Sequence, residues 1–247
     1  MLLCCFLLPA VAIAQQQETS KQVWGNFILS LPQSEKLYLE YDIEGATQVS
    51  GGDDWNSLYG TGVVEYYPNA FLDLTGEAVT GYTNQTSGEN SFEATARLGF
   101  RLHLIRQIFN SSFVKKIRSE RMSGQRFSIA NFARMEYRNF WYSSDRPSED
   151  ELRFRNRVET KFALNSPSLS ADGTWYFIGD VEWFVPIGDQ VAERFATKRR
   201  IRAGFGYRRN YVWRFELLAI GDNTRDTLED SGEAESRMLD LRVKRFF

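Results

Sequence analysis

Hydrophobic and polar residues alternate along most of this chain. Residues 92–104 read FEATARLGFRLHL, and every second residue from Phe92 onwards is apolar. The pattern is equally clear in residues 152–164 and 37–43. Successive side chains of a β-strand point to opposite faces, so this alternation predicts strands with one apolar face. Weaker versions predict further strands over residues 58–67, 71–82, 126–142, 175–185, 198–207, 211–220 and 237–247, with residues 22–31 as an additional candidate at the start.

Two architectures show such alternation: a soluble sandwich or barrel, and an outer-membrane barrel whose apolar face meets lipid. Here the polar face is dominated by arginine and glutamate at every second position, as in Arg153, Arg155 and Arg157. The segments are about 9 to 13 residues long, which suffices to cross a bilayer when tilted, whereas soluble strands average about 5 or 6. The sequence therefore predicts an all-β fold, a transmembrane antiparallel β-barrel.

The connections predict the strand number and the topology. A barrel with both ends in the periplasm needs an even number of strands. We therefore expect ten strands, with residues 22–31 as a periplasmic or lumenal segment, or alternatively twelve if one further strand exists. Residues 68–69 fit a tight inner turn. The acidic stretch 222–235 fits an outer loop that could bind divalent cations bridging lipopolysaccharide.

The first 14 residues read MLLCCFLLPAVAIA, an apolar stretch that ends in Ala12-Ile13-Ala14. This is typical of a cleaved signal peptide. The predicted organisation is a leader over residues 1–14, an N-terminal segment over residues 15–35 that is a candidate first strand, and a barrel over residues 36–247. Export with such a barrel predicts the outer membrane of a Gram-negative bacterium.

The last segment, RMLDLRVKRFF, places the aromatic Phe247 at the end of an alternating strand. It resembles the signal by which bacterial outer-membrane barrels are recognised for insertion, although Arg245 departs from the usual apolar residue. The resemblance implies the barrel-assembly machinery as a partner, acting through Phe247.

Residues 105–124 break the alternation. Their apolar residues recur at helical spacing among basic ones, which predicts a periplasmic basic amphipathic helix. Such a helix lies either on the anionic membrane surface or over the barrel mouth. Its basic residues are Lys115, Lys116, Arg118 and Arg121.

Several runs of sequence resemble a Gram-negative outer-membrane β-barrel family of unknown function, about 220–250 residues long. They are RLGFRLH (97–103), EYRNFWYSS (136–144), RFRNRVE (153–159), EWFVPIGD (182–189), RIRAGFGYRRN (200–210) and the C-terminal residues 243–247. The resemblance spans nearly the whole mature chain. It implies fold and location only, since that family brings no activity and no catalytic residues.

Composition excludes several classes of function. Thirty basic and 32 acidic residues give a net charge of −2, which argues against nucleic-acid binding. One histidine and two early cysteines leave little material for a metal site, so we expect no metal and no cofactor. Most outer-membrane barrels that are lipid-modifying enzymes need a histidine beside a serine, and His103 has no serine at a useful spacing. We therefore expect no catalytic residues. A lipid-modifying enzyme and a loop-mediated assembly or adhesion partner remain alternatives.

The inward-facing charges are divided between early and late strands, acids first and arginines later. Acidic and basic walls that face each other in this way resemble those that create the transverse field of a porin constriction. Alternatively, the charges simply pair and close the lumen. We expect a narrow channel or a structural surface protein, in contact with outer-membrane lipids and lipopolysaccharide. The predicted lumen charge network is Glu40, Asp42, Glu93, Arg97, Arg101, Arg134, Glu136, Arg138, Arg153, Arg155, Arg157, Glu159, Asp180, Glu182, Arg200, Arg202, Arg214, Glu216, Asp240 and Arg242.

Overall fold

A computed structural model describes residues 19–51, 54–86, 89–104, 126–187, 199–224 and 234–247. These residues form eleven β-strands, which we number in chain order. The strands are β1 Ser20–Pro32, β2 Leu37–Ser50, β3 Trp55–Tyr66, β4 Leu72–Gln85, β5 Ser91–His103, β6 Phe127–Tyr142, β7 Glu149–Ala163, β8 Thr174–Ile187, β9 Arg199–Arg208, β10 Trp213–Thr224 and β11 Ala234–Phe246.

The eleven strands form one closed barrel. From β1 to β11 each strand pairs antiparallel with the next one in the chain. Closure removes the free edges that a flat sheet would expose. The prediction of an all-β closed barrel from the two-residue period is therefore confirmed.

The predicted strand number was wrong, because neither ten nor twelve strands close the barrel. Residues 22–31 lie within β1, which is a full barrel strand and pairs in parallel with β11. The register runs without interruption from Ser20 opposite Ser236 to Ser30 opposite Phe246. A parallel pair satisfies the edge hydrogen bonds of both strands as an antiparallel pair does. An odd number of strands can therefore close, and the even-number rule does not apply to this chain.

The outer surface of the barrel is apolar on every strand. Leu98 on β5 is 72% exposed, and Ile43 on β2 and Leu241 on β11 are also exposed. Aromatic residues on the outer surface pair near both ends of the barrel. At one end Phe92 packs on Trp141, with ring centroids 5.6 Å apart. At the other end Trp175 and Tyr207 lie 4.8 Å apart.

The interior carries the polar and charged side chains. On β5, for example, Glu93 and Thr95 are buried while their neighbour Phe92 is exposed. The core of this protein is therefore a set of ion pairs and hydrogen bonds, with only small apolar clusters such as the one around Ile178 and Leu218.

Three predicted segments lie outside the described residues, wholly or in large part. They are the leader at residues 1–14, the whole basic segment 105–124 with Lys115, Lys116, Arg118 and Arg121, and the centre of the acidic loop 222–235.

No helix among the residues that the structure describes is long and apolar enough to span a membrane.

The parallel seam between β1 and β11 gives a direct test of the register. Phe27 lies opposite Val243, and the Cα spacing of paired strands is within the range that a disulfide bridges. In a background with Cys4 and Cys5 replaced by alanine, we expect Phe27→Cys with Val243→Cys to form a disulfide on mild oxidation. The measurement is the mobility of the oxidised and reduced protein on a denaturing gel.

The control pair is Phe27→Cys with Leu239→Cys, displaced by four residues or about 13 Å along the strand. Equal cross-linking of both pairs, or cross-linking of the control alone, would contradict the parallel seam.

Candidate functional site

The barrel interior contains a cavity of about 330 Å³. Its two sides differ in chemistry. One side, formed by β2, β3 and β4, carries carboxylates and small uncharged residues such as Ser57 and Thr61. The other side, formed by β5 to β9, carries arginines from all of these strands except β8, with Phe132 of β6 and Phe184 of β8 between them. The cavity is therefore polarised across the barrel, from acidic to basic.

Glu136 on β6 is the centre of the basic side, and it is fully buried. Its two carboxylate oxygens meet four guanidinium groups. The N–O distances are 2.9 Å from Arg97, 3.3 Å from Arg134, 2.5 Å from Arg153 and 2.7 Å from Arg155. These arginines come from β5, β6 and β7, which bring them together because their inward positions fall at the same height.

A chain of ion pairs runs from this centre to β8 and β9. Arg155 donates to Glu136 and also to Glu182, at 2.8 Å. Glu182 in turn accepts from Arg202 at 3.1 Å, and Arg202 pairs with Asp180 at 2.8 Å. All of these side chains are nearly inaccessible to solvent. Such charge-assisted hydrogen bonds are strong, and removal of one partner from a buried pair is strongly destabilising.

A second cluster lies nearer the end at which β6 leaves for β7. Arg138 makes two parallel hydrogen bonds to Glu93, both 3.0 Å long, and a third to Glu151 at 3.0 Å. Thr95 donates to Glu93 at 2.6 Å, and Tyr59 contacts the same carboxylate at 3.3 Å. The ring of Tyr59 lies directly over Gly81, where any side chain would collide with it.

Polar contacts also hold the parallel seam. The amide of Asn26 on β1 donates to Asp240 on β11 at 2.8 Å. Asp240 also accepts from Arg242 at 2.7 Å. Lys244 on β11 reaches across β1 to Glu40 on β2. The seam is therefore joined by side chains inside the barrel as well as by its backbone hydrogen bonds.

The connection between β7 and β8 folds into one end of the barrel. Leu169 from this connection is buried against Ala163 and Tyr176. The hydroxyl of Tyr176 donates to Glu216 at 2.7 Å, and its ring occupies the space left by Gly206. The interior beside β7 to β10 is thus filled at this end, which leaves the cavity on the side of β2 to β4.

His103 lies on the inner face of β5, and its Nε2 is 2.7 Å from Asp73. Among the described residues, no group of three or more histidine, cysteine, aspartate or glutamate side chains is arranged to hold a metal ion.

The structure brings most of the sequence-predicted network together. Arg101 lies 3.8 Å from both Glu65 and Asp73, and Glu159 pairs with Lys161 at 3.3 Å. Asp42 and Arg157 lie apart from the ion-pair chain. Arg214 stacks over the ring of Phe246, 4.4 Å from its centre, whereas Asp42 and Arg157 line the cavity without an ion pair to another described residue.

The predicted network places Asp222 outside the barrel and lacks several paired acids, among them Glu151. Asp222 was assigned to an outer loop, but β10 extends to Thr224, and Asp222 is buried and pairs with Arg200 at 2.7 Å. Glu151 lies one residue before the strand predicted over residues 152–164, although its alternation with Arg153 and Arg155 indicates an inward position. In both cases the strand is longer than its apolar pattern.

The fold and the interior define the class: a closed β-barrel with an apolar outside and an ion-paired inside. The chain belongs to the family described as Protein of unknown function (DUF2490), which matches residues 21–231. This match covers ten of the strands and ends before β11. No curated protein matches the sequence.

The central carboxylate yields a stability prediction. Glu136→Gln keeps the shape of the side chain but leaves four buried arginines without their shared anion. We expect a loss of about 3 to 5 kcal/mol in the free energy of unfolding. The measurement is urea-dependent unfolding of the refolded barrel in detergent, followed by tryptophan fluorescence.

The matched control is Glu35→Gln, at an exposed position in the connection between β1 and β2. We expect it to change stability by less than about 0.5 kcal/mol. If the two variants unfold at the same urea concentration, Glu136 is not the centre of the interior network.

Proposed function

We propose that this protein is an outer-membrane β-barrel of a Gram-negative bacterium that forms a narrow, charge-lined passage. The observation that carries the proposal is the distribution of side chains, with apolar residues outside and paired charges inside on strand after strand. A soluble barrel needs the opposite arrangement. In a bilayer, lipid covers the apolar face, and the interior provides the only polar environment.

The dimensions of the strands support a membrane location. They contain between 10 and 16 residues, and about 9 to 11 suffice for a tilted membrane-spanning strand. The outer-surface aromatic pairs Phe92–Trp141 and Trp175–Tyr207 lie toward opposite ends, as expected of two interfacial girdles. In this proposal outer-membrane lipids and lipopolysaccharide surround the barrel, and the assembly machinery recognises the strand that ends at Phe247.

The width of the barrel supports a narrow passage. Eleven strands spaced about 4.8 Å apart and tilted by about 40° enclose a cylinder roughly 20 Å wide between backbones. Arginine side chains from two facing walls would fill such a cylinder. Here the arginines of β5 to β9 are held on their own side by Glu136 and Glu182, and space remains beside the small residues of β3. A passage on that side would admit small ions and solutes only.

The membrane location predicts a difference between two equally exposed positions. Leu98 and Tyr211 are both 72% exposed, but Leu98 lies in the middle of β5 and Tyr211 in the connection between β9 and β10. We expect Leu98→Arg to reduce assembly, at about 2 to 4 kcal/mol near the bilayer midplane, and Tyr211→Arg to leave it intact. The measurement is the fraction recovered in outer membranes that migrates faster unboiled than boiled on a denaturing gel. Recovery of the unchanged protein from the soluble periplasm would contradict the proposal.

The passage itself is tested by single-channel recording in planar bilayers. We expect small, regular conductance steps from the unchanged protein. We expect larger steps from the Arg155→Ala, Arg202→Ala double variant, because these two side chains connect Glu136, Glu182 and Asp180 and fill the basic side of the cavity. Loss of two positive charges should also shift ion preference towards cations.

The control for this experiment is Arg146→Ala, which removes an arginine from the connection between β6 and β7. It should leave step size and ion preference unchanged. A correctly folded barrel that shows no conductance in any variant would overturn the passage and favour a structural surface role.

A further inference from the structure

Three charged side chains that line the cavity take no part in the ion-pair network. Asp42 and Glu44 are inward residues of β2, and Arg157 is an inward residue of β7. Within the described residues none of the three makes an ion pair or a side-chain hydrogen bond. One oxygen of Asp42 and the Nε of Arg157 are buried without a hydrogen-bond partner there. Because charges in a narrow interior are strongly stabilised by pairing, three such groups around one cavity indicate a ligand that carries charge.

The strand register places Asp42 and Arg157 across the cavity from each other. Cross-strand partners followed from Asp42 through β3, β4, β5 and β6 lead to Glu151 on β7. The opposite path, through β1, β11, β10, β9 and β8, leads to Thr174. The register of β7 with β8 ends at Ala163 opposite Tyr176, and its continuation by two residues puts Thr174 at the level of Asn165. Because the strands of a barrel are tilted, the height of Asp42 falls about midway between these two end points.

Arg157 occupies that midway position. In addition, β7 is five strands from β2 in one direction and six in the other, which is nearly the full diameter. A negative and a positive side chain therefore face each other at the same height, with Glu44 adding to the negative side. The guanidinium of Arg157 lies 5.3 Å from the ring centre of Phe132, which supports it from one side.

The gap between them has the size of a small molecule. A cylinder roughly 20 Å wide, less about 3 Å for an aspartate and about 7 Å for an arginine, leaves roughly 10 Å. Two hydrogen bonds of about 2.9 Å leave room for a solute whose charged groups are roughly 4 Å apart. An α-amino acid has this separation between its ammonium and carboxylate groups.

We propose that the cavity binds small zwitterionic solutes, with the ammonium group on Asp42 and Glu44 and the carboxylate on Arg157. The inference deepens the proposed passage, since it names the class of solute that the passage selects. A simple cation or anion would satisfy only one wall, whereas an amino-acid zwitterion satisfies both without changing the net charge of the interior.

The test uses the full mature barrel refolded in detergent, with glycine and β-alanine as probes. Acetate and methylammonium, at equal ionic strength, are the singly charged comparisons. The readout is the temperature at which the unboiled form converts to the slow-migrating form. We expect a saturable rise with glycine that neither singly charged ion reproduces. Asp42→Asn and Arg157→Gln should each raise the half-saturating glycine concentration by about tenfold or more, because each removes one charged hydrogen bond.

The matched controls remove the same charges outside the cavity: Asp145→Asn and Arg209→Gln, both at exposed positions in connections. They should bind glycine like the unchanged protein. Asp42→Asn and Arg157→Gln remove charges that lie outside the ion-pair chain, so both should keep the gel shift of the folded barrel. Retention of saturable binding in both cavity variants, an equal effect of acetate or methylammonium, or no saturable effect of either zwitterion would overturn the inference.

This readout is independent of ion flow. A barrel that conducts but does not bind glycine would retain the proposed passage and lose the zwitterion site. A barrel that binds glycine through Asp42 and Arg157 but never conducts would retain the site and lose the passage.

Discussion

The structure depends on charge compensation inside a narrow cylinder. Burial of arginine and carboxylate side chains there is costly unless the guanidinium meets an acid at hydrogen-bond distance. Glu136 and Glu182 meet this requirement for arginines from four strands, β5, β6, β7 and β9. A shift of one residue in any of these strands would turn its charges outward and its apolar side chains inward. The ion pairs therefore select the strand register as well as filling the interior.

The small residues of β3 and β4 have the complementary effect. Where β6 and β7 present arginines, these strands present serine, threonine, valine and glycine at inward positions, and the carboxylates between them are few. Bulk is thus concentrated on one side of the barrel and space on the other. An interior filled evenly would be a solid plug, whereas this uneven filling leaves an off-centre cavity with a carboxylate wall and an arginine wall.

The sequence alone was sufficient to predict strands, their inward faces and the closed barrel, because alternation with a period of two is a local property. Strand number was not predictable in this way. Whether β1 pairs in parallel with β11 depends on two segments more than 200 residues apart, and nothing in either segment specifies the direction of its partner. The prediction for Asp222 was wrong for a related reason. Its neighbours in the sequence indicate an acidic loop, and only the pairing of β9 with β10 places Arg200 opposite it.

The parallel seam also determines how the barrel can be completed. Hairpins form between neighbours in the chain, so β1 to β11 can assemble in order as one growing sheet. The last contact, between Asn26 and Asp240, spans 214 residues of sequence and must wait for all the others. Contacts of such long range form slowly, and until they form β1 and β11, at the two edges of the sheet, keep unpaired backbone groups. Closure at β1 and β11 is thus the step before which an incomplete barrel is exposed to wrong partners.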